Sequence, residues 1–221
     1  MAIHLMPSIR TSIEGCVTAE HVEPRDRKYM LPGHQTDARF SKYETLGDYH
    51  HREYAANTIY AAHARRVRNW ITEHRVLDVG CGDGLITCLL RDKGHDVEGI
   101  DPNARAVMLA KRHGVRVRLG SVYRLPRGRW DAVYLGDVLE HLDHQKKAIR
   151  QIGRVTDTLY IATPLRGAQP ADDYHAHEFL PGELREFMAA LGWEQLSSEY
   201  LNFRILAKFR HRPRPWWRPW R

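Results

Sequence analysis

The stretch Val76-Leu77-Asp78-Val79-Gly80-Cys81-Gly82-Asp83-Gly84 sets three glycines at alternate positions directly behind a short apolar run. The run reads as a buried strand and the segment beginning near Leu85 as a helix, so the glycines fall on a strand-to-helix turn. A chain must bend sharply there, and glycine lets a ligand approach the backbone closely. The loop therefore reads as a binding site for something flat and polar. Its G-x-G-x-G spacing puts Leu85 where a dinucleotide fingerprint wants its last glycine. Asp78, two residues ahead of Gly80, suits a ligand that carries an ammonium better than one that carries a pyrophosphate.

Working outward, short apolar runs alternate with helical segments, the signature of parallel βαβ units. The pattern predicts strands over 75–79, 96–100, 115–119, 132–135 and 159–162, with helices beginning near Leu85, Ala104, Asp143 and Pro181. Two further runs, 194–201 and 204–209, are joined only by Asn202-Phe203, and so short a link forces them antiparallel. The expectation is an α/β fold with a seven-stranded, mostly parallel sheet closed by an antiparallel C-terminal hairpin, helices on both faces. Ahead of it a helix over 54–73 is expected to pack on the sheet through Ile59, Ala62, Val67, Trp70 and Ile71. Residues 1–45 show no sustained periodicity and read as an irregular extension.

The second predicted strand ends in Gly99-Ile100-Asp101-Pro102, which places a carboxylate 21 residues beyond Gly80. Two vicinal ribose hydroxyls match two carboxylate oxygens, so Asp101 is expected to hold a ribose. The competing reading of Asp101 is a turn or cap residue before the next helix.

Composition limits the rest. With 43% hydrophobic and 28% charged residues over 221 positions, the chain can bury one ordinary core. No signal-peptide pattern or 20-residue apolar span is present, so a cytoplasmic protein is expected. Cys16, Cys81 and Cys88 have no metal-ligand spacing and read as reduced thiols. The formal charge is +7, but residues 210–221 hold five arginines and no acids, which leaves +2 for everything else. A nearly balanced body argues against a nucleic-acid-binding face.

The motifs VLDVGCGDG, VEGIDPN, WDAVYLGDVLEH, LYIATP and HEFLPGELREFMAALGW, in that order, resemble the successive motifs of class I S-adenosylmethionine-dependent methyltransferases. The likeness is strongest to the group containing ubiquinone-biosynthesis O-methyltransferases, and it covers about residues 50–209. It implies a Rossmann-like methyltransferase domain over 46–209, in which 46–74 is a helical lid or cap and 75–209 the core. It further implies S-adenosylmethionine as cofactor, with Asp78, Gly80, Cys81, Gly82, Asp101, Pro102, Ser121, Val122, Gly136 and Asp137 around it. Ser121 stands where the group usually has an acid for the adenine amine, so adenine recognition falls to the Val122 backbone and apolar sandwiching. Tyr43, Tyr49, Tyr54 and Tyr60, with His50 and His51, lie where such enzymes often place a lid.

Methyl transfer is an in-line displacement, and a base is needed only where the acceptor loses a proton. His141, with its neighbour Glu140, is the candidate catalytic pair on a small-molecule acceptor, and no metal is expected. The competing reading has both residues merely capping the next helix. An alternative puts Asp137, Glu140, His141 and His175 or His177 in the place of the metal-binding set of small-RNA 2′-O-methyltransferases, making the chain an RNA-modifying enzyme. A non-catalytic cofactor-binding module is a third reading. Tryptophan alternating with arginine in 210–221 suits weak contact with an anionic membrane or with RNA.

Overall fold

The computed structural model describes residues 41–168 and 175–212. Three helices come first: α1 (Ser41–Thr45), α2 (Tyr49–Ala55) and α3 (Ile59–Trp70). The alternating core follows as β1 (Arg75–Val79), α4 (Leu85–Asp92), β2 (Asp96–Asp101), α5 (Ala104–Arg112), β3 (Val117–Leu119), β4 (Ala132–Gly136), a 3-10 turn (Leu139–His141), α6 (Gln145–Ile152) and β5 (Thr158–Pro164). The chain closes with α7 (Pro181–Ala190), β6 (Trp193–Leu201) and β7 (Arg204–His211). The seven strands form one sheet in the order β3-β2-β1-β4-β5-β7-β6, with β7 antiparallel to both its neighbours. The expected fold is therefore the observed one.

Every strand of the sheet's centre is buried on both faces, as parallel strands covered by helices must be. Leu77, Val79, Val133, Leu135, Leu159 and Ile161 point to the side packed by α6 and α7. Val76, Ala132, Tyr134, Tyr160 and Ala162 point the other way, onto α3 and α4. Chain direction reverses beside β1, where β2 and β3 lie to one side and β4 to the other. That is the switch point at which the carboxyl ends of parallel strands splay open a crevice.

The N-terminal part departs from the expectation twice. The single helix over 54–73 is broken: Asn57 turns left-handed at φ +56 and Thr58 is extended, so α2 and α3 are separate. The buried stripe of α3 is Ala61, Ala64 and Val67, continuing to Ile71, while Ile59 is 57% exposed. Ser41–Thr45 is helical rather than irregular. At the other end β7 runs to His211, two residues further than expected, and Arg210 and Arg212 both pair with Glu194. The hairpin link is as read from the sequence, with Asn202 and Phe203 at φ +48 and +69, the twist a two-residue turn needs. Cys16 and most of the Arg/Trp tail, 213–221, lie outside the described residues. Among the described residues no helix is long and apolar enough to cross a membrane.

Candidate functional site

Two clefts meet over the ends of β1 and β4. The larger, about 930 Å³ and open to solvent, runs past Gly80, Asp101, Pro102, Ser121, Val122 and His141. The smaller, about 460 Å³, reaches down beside Asp78, Gly80, Cys81, Gly136 and Asp137. Gly80, Asp137, Lys42 and Tyr43 border both, so the two are halves of one elongated site.

The glycine loop has the geometry its sequence demands. Gly80 has φ +77, and a Cβ there would collide with Val138 Cγ2. Gly82 is also left-handed, but it does not line either cleft: Tyr43 covers it, with its hydroxyl where a Cβ would be. The Gly82 amide instead donates to Asp101 Oδ2 at 2.9 Å, and the Asn103 amide donates to Oδ1 at 2.8 Å. Each Asp101 oxygen thus keeps a second lone-pair direction for a ligand. Burial pushes the Asp101 carboxyl up to about 6. This carboxylate, set by two loop amides at the end of β2, is a ready acceptor for a pair of hydroxyls.

Asp78 is buried on β1 and accepts a hydrogen bond from the Thr87 hydroxyl at 2.7 Å. Burial pushes its carboxyl up to about 7, since the neutral donors of Thr87, hydroxyl and amide, replace little of the lost water. Asp83 behaves oppositely. Its burial is outweighed by the His50 ring and amide, at 3.0 and 2.7 Å, which hold the carboxyl down to about 2. Together with His51 Nε2 at 3.2 Å from the Asp83 carbonyl, these contacts strap α2 onto the glycine loop.

Beyond β4, Asp137 has φ +51 and is gripped in two-pronged fashion by Arg204 of β7, at 2.8 to 3.1 Å. A left-handed aspartate at a strand end is a strained position that its surroundings must hold. The guanidinium outweighs burial and keeps the Asp137 carboxyl well below the usual range. Nearby, His63 is buried and held neutral, down to about 4, by desolvation. Its Nε2 lies 3.4 Å from the Tyr134 hydroxyl, and its Nδ1 has no hydrogen-bond partner among the described residues.

A 3-10 turn rotates successive side chains by roughly 120°, so the two neighbours expected to act together have different surroundings although their polar atoms stay within 4.8 Å of each other. His141 faces the larger cleft, whereas Glu140 is fully buried and lines neither. Glu140 Oε2 accepts from the Thr163 hydroxyl at 2.9 Å, and its carbonyl holds the amides of Ala176 and His177. Burial pushes its carboxyl up to about 8. Glu140 thus ties β5 and the backbone at 176–177 to the turn.

Of the residues considered for a metal, Glu140, His141 and His175 bring ligand atoms within 4.8 Å of one another. Asp137 is taken by Arg204, and His177 packs on Phe179 and reaches Arg166. Ser121 accepts its own turn's Tyr123 amide at 3.3 Å, and Val122 is buried beside it. Lys42, His63 and Arg204 had no signal in the sequence. They are brought to the site by tertiary packing alone.

Comparison with known proteins bears on this geometry. A family described as a methyltransferase domain matches residues 47–207. A ubiquinone biosynthesis O-methyltransferase of Bordetella avium is 31% identical over 97 residues, covering 37% of this chain and 40% of that protein. The aligned part therefore spans less than half of that relative. A magnesium protoporphyrin IX methyltransferase from Synechocystis with bound SAH superposes with a TM-score of 0.64 at 16% identity, covering 79% of this chain and 98% of that one. An O-methyltransferase from neocarzinostatin biosynthesis, solved with S-adenosylmethionine and 2-hydroxy-5-methyl naphthoic acid, has the same TM-score at 19% identity over 77% of this chain and 57% of its own. At such identities the superpositions speak for the fold.

Proposed function

The chain belongs to the methyltransferase-domain family of class I S-adenosylmethionine-dependent methyltransferases, and on that premise we propose that it methylates a hydroxyl of a small-molecule acceptor. The observation that carries the proposal is the continuity of the two clefts across Gly80, with the paired-amide carboxylate of Asp101 in one and the buried Asp78 in the other. An adenosine with an amino-acid tail has that same sequence of chemistries. The cradle fits it: Gly80 and Gly136 offer bare backbone along the cleft, since Val138 and Tyr134 fill the places their Cβ atoms would take, and Asp101 keeps acceptor directions for a ribose diol.

When bound, the cofactor supplies an electrophilic methyl on a positively charged sulfur. Gly80, Gly136 and Asp137 would hold its amino-acid end, and Pro102, Ser121 and Val122 its adenine. His141, on the wall of the larger cleft, takes the hydroxyl proton. Oxygen as the acceptor atom follows the named O-methyltransferase relatives. A small acceptor follows the near-neutral body of the chain.

A screen of cofactor turnover against phenols and short RNAs tests this reading, and turnover is expected with phenols. His141→Ala is expected to lower kcat about 100-fold or more while SAH affinity stays within twofold. An unchanged kcat, or turnover confined to RNA, contradicts it. Metal assistance is a second reading, favoured by the Glu140, His141 and His175 cluster. Activity indifferent to a chelator and to added magnesium or manganese supports the metal-free reading, and ion-dependent activity supports the other.

A further inference from the structure

The nearly balanced charge of the body hides an uneven distribution. The segment that forms α6, Gln145-Lys146-Lys147-Ala148-Ile149-Arg150-Gln151-Ile152, has three cations and no acid. Ala148, Ile149 and Ile152 are buried in the core, so the helix period turns Lys146, Lys147 and Arg150 outward together, and all three are exposed. The loop between β3 and β4 adds Arg124 and Arg127, and the turn after α6 adds Arg154, all exposed as well. None of these six makes an ion pair among the described residues.

The pieces form one surface. At the start of α6 the Tyr123 hydroxyl accepts the His144 amide at 3.2 Å, and the Lys147 ammonium lies 5.6 Å from the centre of the Tyr123 ring, which joins the loop to the helix. Beyond its end the Trp130 amide donates to the Val155 carbonyl at 2.8 Å, and the His211 ring of β7 lies beside Gly153. The neighbouring acids are engaged, Asp157 by Arg129 and Asp131 by the Arg75 amide, while Asp143 borders the larger cleft. From His211 the sequence runs through Arg212 into residues 213–221, which hold three arginines, three tryptophans and no acid. A cationic, tryptophan-rich segment therefore continues directly from one end of the cationic face.

The character of the face decides its partner. Among the described residues no large exposed apolar side chain lies on α6 or in the 120–131 loop. The face so lacks both the aromatic platform on which bases stack and the apolar centre of a protein interface. Unmatched cations along a helix flank instead suit a layer of phosphates, where each adds attraction without a fitted partner. Tryptophans settle at the boundary of lipid and water.

We propose that α6 and the β3–β4 loop dock the protein on an anionic phospholipid surface, with residues 213–221 as the adjoining contact. Docking there brings the Tyr123 to Asp143 edge of the larger cleft next to the lipid. The inference is independent of the acceptor chemistry.

Co-sedimentation of the full-length chain with vesicles of phosphatidylcholine, and with vesicles of equal parts phosphatidylcholine and phosphatidylglycerol, tests it. The wild type is expected to bind the mixed vesicles, to ignore the neutral ones, and to lose binding as salt is raised. Each cation near an anionic surface is worth about fivefold, so Lys146→Gln, Lys147→Gln and Arg150→Gln together are expected to weaken binding about 100-fold although residues 213–221 are intact. SAH affinity should stay within twofold in that variant. Lys146→Arg, Lys147→Arg and Arg150→Lys together keep the charge and are expected to bind as the wild type does. Lys146→Gln alone should cost about fivefold. Equal binding to both kinds of vesicle, no binding by the wild type, or a triple glutamine variant that binds as the wild type does overturns the proposal. Binding of a short single-stranded RNA without binding to vesicles overturns it too, and assigns the face to nucleic acid.

Discussion

Asp101→Ala is expected to weaken SAH binding by more than about 100-fold. Two effects combine. The ribose loses an acceptor for two hydroxyls, each charge-assisted bond worth about 1.5–3 kcal/mol, and 1.4 kcal/mol is already tenfold in affinity. The Gly82 and Asn103 amides also lose the oxygens that fix the loop. Asp101→Asn separates these, since it keeps one acceptor and the side-chain shape; its loss should be nearer tenfold. Folding should survive. Burial raises the Asp101 carboxyl to about 6, above its unfolded value, so the charged form opposes folding at pH 8 and its removal offsets the lost loop bonds. Calorimetric titration with a circular-dichroism melt checks both points, and affinity within threefold of wild type would contradict them.

Asp78→Asn should move stability and affinity in opposite directions. With the folded carboxyl near 7, its stabilising contribution is complete below the unfolded value and is lost as pH rises through 7. The neutral amide escapes that loss and can still accept from Thr87. At pH 8 the ligand-free variant is expected to melt a few degrees higher, about 1–2 kcal/mol for a chain of this size. SAH binding at pH 8 should fall tenfold or more, because an ammonium finds no charge to meet. At pH 5.5, where wild-type Asp78 carries a proton before binding, the affinity gap should narrow. A lower melting temperature at pH 8 together with unchanged affinity would show Asp78 to be a structural residue.

The sequence carried those parts of the molecule whose causes are local. β1, the glycine bend and α4 announce themselves because apolar runs, left-handed glycines and helix periodicity act over a few residues. The β6–β7 turn did so because only antiparallel strands can share a two-residue link. What escaped was made by distant partners. α1 and α2 are short helices held by Tyr43 against α5 and by Asp83, so no amphipathic period marks them. The Asp137–Arg204 pair joins residues 67 apart. Glu140 and His141 are neighbours in the chain, yet a tight turn sends one into the core and the other to the cleft.

The most direct measurement is calorimetric titration of the folded, full-length chain with SAH, alongside NAD. A single site with affinity on the order of micromolar, a matching rise in melting temperature, and no binding of NAD is the result this account predicts. No heat and no thermal shift at millimolar SAH, or tighter binding of NAD, would contradict it.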